Sequence, residues 1–209
     1  LTALDDRIQQ SRLAALGRLS ASIAHEIRNP VGAISHAAQL LQEDPKLSEA
    51  NRRLGEIVKS NAERVSTIIG NVQQLARRET TRPERMPLGE WLSGFIEEFV
   101  GTGGHAKAQL VAVLPEPDLE VRVDPSHLHQ ILWNLCENAF RYAVQTPEDK
   151  VEVRIGRLAG SNRPFLEVLD RGPGIPPEES ERMLQPFTRL DRARSTSGTG
   201  LGLAIVDRI

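Results

Sequence analysis

Four stretches of the chain hold residue types that could do chemistry at the spacings found. In SIAHEIRNPVG, His25 stands beside Glu26, and Asn29 follows one helical turn later. A neutral imidazole, with an ordinary pKa of about 6.5, is a nucleophile at neutral pH, and a neighbouring carboxylate can steady the proton on its second nitrogen. In HQILWNLCENAFRYA, Asn134 and Asn138 share one face of a helix, with Arg141 and Tyr142 a turn further on. Amide oxygens on such a face suit a hard cation such as magnesium, which keeps several waters and takes other ligands from phosphates. A guanidinium would meet phosphate there, and a tyrosine ring would cover an aromatic base. Lastly, VLDRGPGIP ends in Asp170 followed by Gly172 and Gly174, and STSGTGLGLAIVDRI sets Gly198, Gly200 and Gly202 at alternate positions ahead of an apolar helix. Asp170 can accept from an exocyclic amine, and the backbone N–H groups of the second loop suit polyphosphate. Each stretch also has a plainer reading, as a solvated helix face or an ordinary turn.

Elements must position these residues. Leu13, Ser20, Ile27, Ile34 and Leu41 recur every seven residues, interleaved with Leu16, Ile23, Pro30 and Ala37, which is the seam of a coiled-coil helix. After EDPKLS the pattern resumes with Leu54, Asn61, Ile68 and Leu75 beside Val58, Val65 and Val72, giving a helical hairpin. Two helices cannot close that seam alone, so a homodimeric four-helix bundle is expected. In this register His25, Glu26 and Asn29 lie away from the seam, and Pro30 removes one helical hydrogen bond beside them. The proline-marked ETTRPERMP reads as a linker. Beyond it come a helix over 88–100, strands near 109–114 and 119–123, a helix over 125–143 and strands near 151–157 and 165–170, an α/β layer arrangement. The polar PFTRLDRARSTSG between the glycine stretches reads as a lid. The domains are therefore 1–78, a dimerisation hairpin; 79–87, the linker; and 88–209, an α/β domain.

Composition narrows the function classes. The 26 basic and 28 acidic residues leave a net charge of -2, which supplies no electrostatic footprint for nucleic acid or anionic membrane. The single cysteine, Cys136, lies in the apolar run ILWNLCENAF and reads as a buried, inert thiol of a reduced compartment. No apolar run approaches the ~18 residues of a membrane span. The start at Leu1 reads as that of a cytoplasmic fragment.

Taken in order, the motifs resemble the sensor histidine kinases of two-component systems. HEIRNP resembles the phosphoacceptor box of that family, NLCENAFRY its N box, DRGPGI its first glycine box, PFTR its phenylalanine box and GTGLGL its second glycine box. The segment HEIRNPVGAISHAAQLL resembles most the sensor kinases of type IV pilus genes and of nitrogen regulation, whose regulators drive sigma-54 promoters. The resemblance implies a helical hairpin followed by an α/β sandwich ATP-binding domain of the histidine kinase, gyrase and heat-shock-chaperone type. It implies that His25 is phosphorylated by ATP and passes the phosphoryl group to an aspartate in a response regulator receiver domain. Glu26 would be the base or orienting acid, and Asn29 would position water for removal of phosphate from the regulator. Asn138 with Asn134 would bind Mg2+, Arg141 phosphate, Tyr142 the adenine ring and Asp170 its amine. Gly172 and Gly174 would form the turn beside the base, and Gly198, Thr199, Gly200, Leu201 and Gly202 would wrap the phosphates.

The chain departs from the family pattern in stopping soon after the second glycine box, so the ATP-binding sheet is expected to be incomplete. Sensing and inner-membrane segments are expected upstream. Related gyrase and chaperone ATPases have a water-activating glutamate where this chain has Asn134, which disfavours direct ATP hydrolysis. The rival outside the enzymes is a dimeric nucleotide-binding signalling scaffold without transfer activity.

Overall fold

The computed structural model describes residues 26–43, 47–76, 81–103, 109–116, 118–146, 148–190 and 198–209. The chain divides into two compact units, Leu1–Glu79 and Thr80–Ile209, and each is described by itself.

The first unit is a helical hairpin. Helix α1 is continuous over 26–42, so Pro30 does not end it. Helix α2 spans Glu49–Ala76. Ser48 starts α2: its carbonyl accepts Arg52 N at 2.9 Å and its hydroxyl accepts Asn51 N at 3.3 Å, which satisfies amides that have no partner inside the helix. The Arg52 guanidinium then donates to the carbonyl of Gln42 at 2.9 Å, tying the start of α2 to the end of α1. Arg28 Nη2 donates to Gln73 Oε1 at 2.6 Å near the other end of the pair.

The buried stripe differs from the expected seam. Val31 and Ala38 on α1 and Gly55, Ala62 and Ile69 on α2 are buried, each one residue past a seam position. The seam residues Ile27, Ile34, Leu41, Leu54, Val58 and Val65 remain exposed. The physical reason is size. A Cβ at Gly55 would lie 3.2 Å from Gln42 Cγ, so small residues let α1 and α2 approach along this stripe. The larger aliphatic residues are left on a face that the hairpin does not cover.

The second unit is an α/β layer. Strand β1 (Glu84–Pro87) pairs antiparallel with β3 (Glu120–Val123), with Met86 opposite Val121. The stretch expected as a linker therefore gives its last four residues to a strand. Strand β2 (Leu110–Val113) runs parallel to β4 (Val151–Arg157), which pairs antiparallel with β5 (Pro164–Leu169). Helix α3 spans Leu88–Gly103, α4 Pro125–Ala143, α5 Ser180–Met183 and α6 Gly202–Arg208, and a 3-10 turn covers Pro177–Glu179.

Period determines the core. Leu88, Leu92, Phe95, Ile96 and Phe99 recur at helical spacing on α3, and Val151, Val153 and Ile155 alternate on β4; all are buried together with Leu132, Cys136, Ala139 and Phe140 of α4. Burying one side chain such as Phe99 stabilises the fold by about 1.5–3 kcal/mol. Aromatic rings link the two helices: Phe99 meets Trp133 edge-on at 5.0 Å, and Phe95 meets His129 at 5.3 Å.

Candidate active site

Asp124 fixes helix α4 in place. Its Oδ1 accepts Ser126 Oγ at 2.6 Å and Ser126 N at 3.0 Å, and its Oδ2 accepts Arg82 N at 2.7 Å. Pro125 follows in the first turn, where a missing N–H costs nothing. The Ser126 hydroxyl, then the Arg82 amide and the Ser126 and His127 amides, hold the Asp124 carboxyl well below the usual carboxylate range against the opposing effect of burial. Sequence reading missed this residue, although Asp-Pro ahead of an apolar periodic run is the signature of a helix start.

With α4 anchored, one face packs into the core and the adjoining stripe carries Asn134, Asn138, Arg141 and Tyr142. Asn134 Nδ2 donates to the carbonyl of Gln130 at 2.9 Å, which fixes the amide and leaves Oδ1 turned to the start of α6. There Gly202 comes so close that a Cβ on it would lie 3.0 Å from Asn134 Oδ1 and 3.6 Å from Asn138 Nδ2. A Cβ at Gly198 would lie 3.4 Å from Arg141 Nη1 and 3.8 Å from the Tyr142 hydroxyl. The glycine stretch thus runs along the polar stripe of α4, with Thr199 half-buried between the glycines and Leu201 fully buried beneath them.

Asp170 follows β5, and its Oδ1 accepts Gly172 N at 2.7 Å, leaving Oδ2 for another donor. A Cβ at Gly172 would lie 3.1 Å from that of Ala143, so this turn meets the C-terminal end of α4. Gly174 holds φ +66 in the same turn. At the far side, Phe187 N donates to the carbonyl of Gly200 at 2.8 Å, joining the two sides of the expected lid. Both residues are left-handed, Phe187 at φ 64 and Gly200 at φ 70, and for a phenylalanine that conformation costs roughly 1–3 kcal/mol. The central lid residues 191–197 lie outside the described residues.

The residues assigned to a nucleotide therefore meet around α4. Those assigned to phosphoryl acceptance lie on the first unit: Glu26 and Asn29 are exposed on α1, and His25 lies outside the described residues. Glu137 Oε2 accepts Arg141 Nη2 at 3.4 Å across one helical turn and steadies the guanidinium beside Gly198. Cys136 is buried as expected, and burial pushes its thiol up to about 12, so it stays protonated and inert.

Among the described residues no three His, Cys, Asp or Glu side chains gather as a metal site. Asn134 Oδ1 is of the type that a hard, oxygen-seeking cation takes, and Gly202 comes close enough that a Cβ on it would crowd that oxygen, while Asn138 turns its Nδ2, a donor, to the same glycine.

Comparison with known proteins agrees with this geometry. The profile of the His Kinase A (phospho-acceptor) domain matches residues 15–81, and that of the Histidine kinase-, DNA gyrase B-, and HSP90-like ATPase matches residues 123–209. The sensor protein kinase PilS of Pseudomonas aeruginosa is 42% identical over 97% of this chain and 38% of its own length. The sensor-like histidine kinase SenX3 of Mycobacterium bovis is 33% identical over 98% of this chain and 50% of its own length. The chain thus spans half or less of these relatives. Full-length ShkA in complex with AMPPNP has the same fold, with a TM-score of 0.68 at 23% identity over 92% of this chain and 40% of that one. The chain belongs to the sensor histidine kinases, as a phosphoacceptor hairpin followed by an ATP-binding α/β domain.

Proposed function

We propose that this chain is the catalytic part of a protein-histidine kinase that phosphorylates His25 from ATP and passes the phosphoryl group to an aspartate of a response regulator receiver domain. The observation that supports this reading most is the approach of Gly198 and Gly202 to Asn134, Asn138, Arg141 and Tyr142 on one helix, with the Asp170–Gly172 turn meeting the C-terminal end of that helix at Ala143. Asp170 Oδ2 takes the exocyclic amine of adenine, Tyr142 covers the ring, and Arg141 with the glycine amides holds phosphate. Asn134 and Asn138 would hold Mg2+, which neutralises phosphate charge when bound.

In the transfer, a neutral ring nitrogen of His25 attacks the γ-phosphorus. The new N–P bond forms as the bond from that phosphorus to the oxygen bridging it to the β-phosphate breaks, and ADP leaves. Glu26 accepts or steadies the proton on the other ring nitrogen. Asn29 orients water for the reverse duty, removal of phosphate from the regulator. In the proposed domain plan, residues 1–78 form the dimerisation hairpin and the linker shortens to 79–83, since β1 begins at Glu84.

A homodimer covers the exposed aliphatic face of the hairpin at Ile27, Ile34, Leu41, Leu54, Val58 and Val65. The regulator is of the sigma-54-dependent type, by the resemblance of HEIRNPVGAISHAAQLL. Among the described residues no helix is long and apolar enough to cross a membrane. Attachment to the bacterial inner membrane is assigned to upstream segments.

The test is incubation of the cytoplasmic part with γ-labelled ATP and magnesium, beside His25→Gln. Acid-labile, base-stable label on the wild type alone is expected; equal label on both proteins overturns the assignment of His25.

A further inference from the structure

Gln130 lies one turn before Asn134 on α4. Its carbonyl accepts the Asn134 amide at 2.9 Å, but its own Nε2 is buried and has no hydrogen-bond partner. A buried donor left unpaired is destabilising, so it needs an explanation. Four residues on a helix advance by about 40°, which puts Gln130 on the stripe of Asn134, whose Oδ1 faces the cradle at Gly202. Arg141, eleven residues on, returns to the same stripe within about 20°.

The chemistry of the missing partner follows from the donor. An amide N–H cannot ligate a cation; it needs an acceptor, and the strongest acceptor this site is read to hold is phosphate oxygen. The turn assigned to the base meets α4 at Ala143, thirteen residues and roughly 20 Å along the helix from Gln130. The end of the ligand nearest Gln130 is then the end farthest from the base. We propose that Gln130 is a further binding residue of this site, whose Nε2 donates to an oxygen of the terminal phosphate of the bound nucleoside triphosphate. This rests on the nucleotide reading given above. It makes Gln130 a discriminator between triphosphate and diphosphate, and the orphaned donor a feature of the site before it fills.

The experiment is calorimetric titration of wild type and Gln130→Met with ATP, ADP and adenosine in the presence of magnesium, together with thermal melts without nucleotide. Methionine keeps the length of the side chain and removes the donor. A hydrogen bond to a charged acceptor is worth about 1.5–3 kcal/mol, so ATP affinity should fall roughly 10-fold to 100-fold. ADP and adenosine should bind the variant as they bind the wild type. The melting temperature without nucleotide should hold or rise, because an unpaired buried donor has been removed. Gln130→Glu, which places a negative acceptor where the donor was, should weaken ATP further and leave adenosine unaffected.

Unchanged ATP affinity in Gln130→Met overturns the proposal, as does equal weakening of adenosine or a lower melting temperature without nucleotide, either of which marks a structural role. A wild-type protein that binds none of the three ligands overturns the nucleotide reading itself and the inference with it. Failure at Gln130 alone leaves that reading standing.

Discussion

Replacing Gly202 by alanine tests the cradle with one methyl group. The added Cβ would lie 3.0 Å from Asn134 Oδ1 and 3.6 Å from Asn138 Nδ2, so the first contact must open by a few tenths of an ångström. Asn134 cannot yield freely, since its Nδ2 is bound to the Gln130 carbonyl at 2.9 Å and turning the amide breaks a hydrogen bond worth about 0.5–1.5 kcal/mol. In α6 itself the change is mildly favourable: at this first helical position alanine recovers part of the roughly 0.8–1 kcal/mol by which it exceeds glycine in a helix interior. The two effects nearly offset, and the melting temperature without nucleotide should stay close to that of the wild type. Binding has no such offset. The methyl occupies the space between the two amides assigned to the cation and its phosphate, and affinity for ATP with magnesium should fall about 10-fold or more, equivalent to ~1.4 kcal/mol. Calorimetry on Gly202→Ala, beside a thermal melt, reads both quantities. Wild-type ATP affinity in a folded variant would refute the reasoning that this cradle is where the ligand sits.

Gly200→Ala should act differently, because a left-handed φ of 70 and a Cβ only 2.8 Å from the Thr188 carbonyl are both incompatible with a side chain. The Phe187–Gly200 hydrogen bond should be lost and proteolytic cleavage within 187–200 should speed up several-fold, with the rest of the second unit still folded. Asp124 gives a pH prediction. Its carboxyl is depressed in the folded state, so its stabilising effect is full above the unfolded value of about 4 and is lost as pH falls below that toward the folded value. Melting temperature measured from pH 7 to pH 2 should drop more steeply below pH 4 for the wild type than for Asp124→Asn; parallel curves would show that the cap carries no such linkage.

Local signals made some elements readable and left others hidden. Helix α4 and strand β4 have the expected limits, Pro125–Ala143 and Val151–Arg157, because each is bounded by its own chemistry: an Asp-Pro start in one case, strict alternation in the other. Strand β1 was hidden because ERMP has two charges and a proline, and it is a strand only through pairing with β3, more than thirty residues away. The heptad pattern identified which hairpin residues are aliphatic but not which of two adjacent stripes the hairpin closes. Small residues at Gly55, Ala38 and Ala62 decided that, and they carry little weight in a hydrophobic count. Among the proposed site residues, the amides and glycines were singled out by type and spacing, and Gly198 and Gly202 do approach the polar stripe of α4. The partners that orient them, Gln130 for Asn134 and Glu137 for Arg141, look like any polar residue on a helix until their hydrogen bonds are seen.

Those orienting contacts bear on why the proposed reaction is transfer and not hydrolysis. Activating a water for attack on phosphorus requires a group that can take its proton, and at position 134 the chain offers an amide whose nitrogen is already committed to the Gln130 carbonyl. The oxygen of that amide can ligate a cation but has no useful basicity in the neutral range. Glu137, three residues on and partly exposed, is engaged with Arg141 on the same helix, and its carboxylate steadies the guanidinium beside Gly198. A triphosphate held on this stripe of α4 would be neutralised and oriented without a base beside it. Its γ-phosphorus would then react only when a nucleophile arrives with its own proton acceptor, and the His25–Glu26 pair on the other unit has that composition. The test is Asn134→Glu, which restores a carboxylate at this position. ATP turnover to free phosphate should rise at least several-fold over the wild type while label on His25 falls; a variant that binds ATP and shows neither change would refute the separation of roles between the two units.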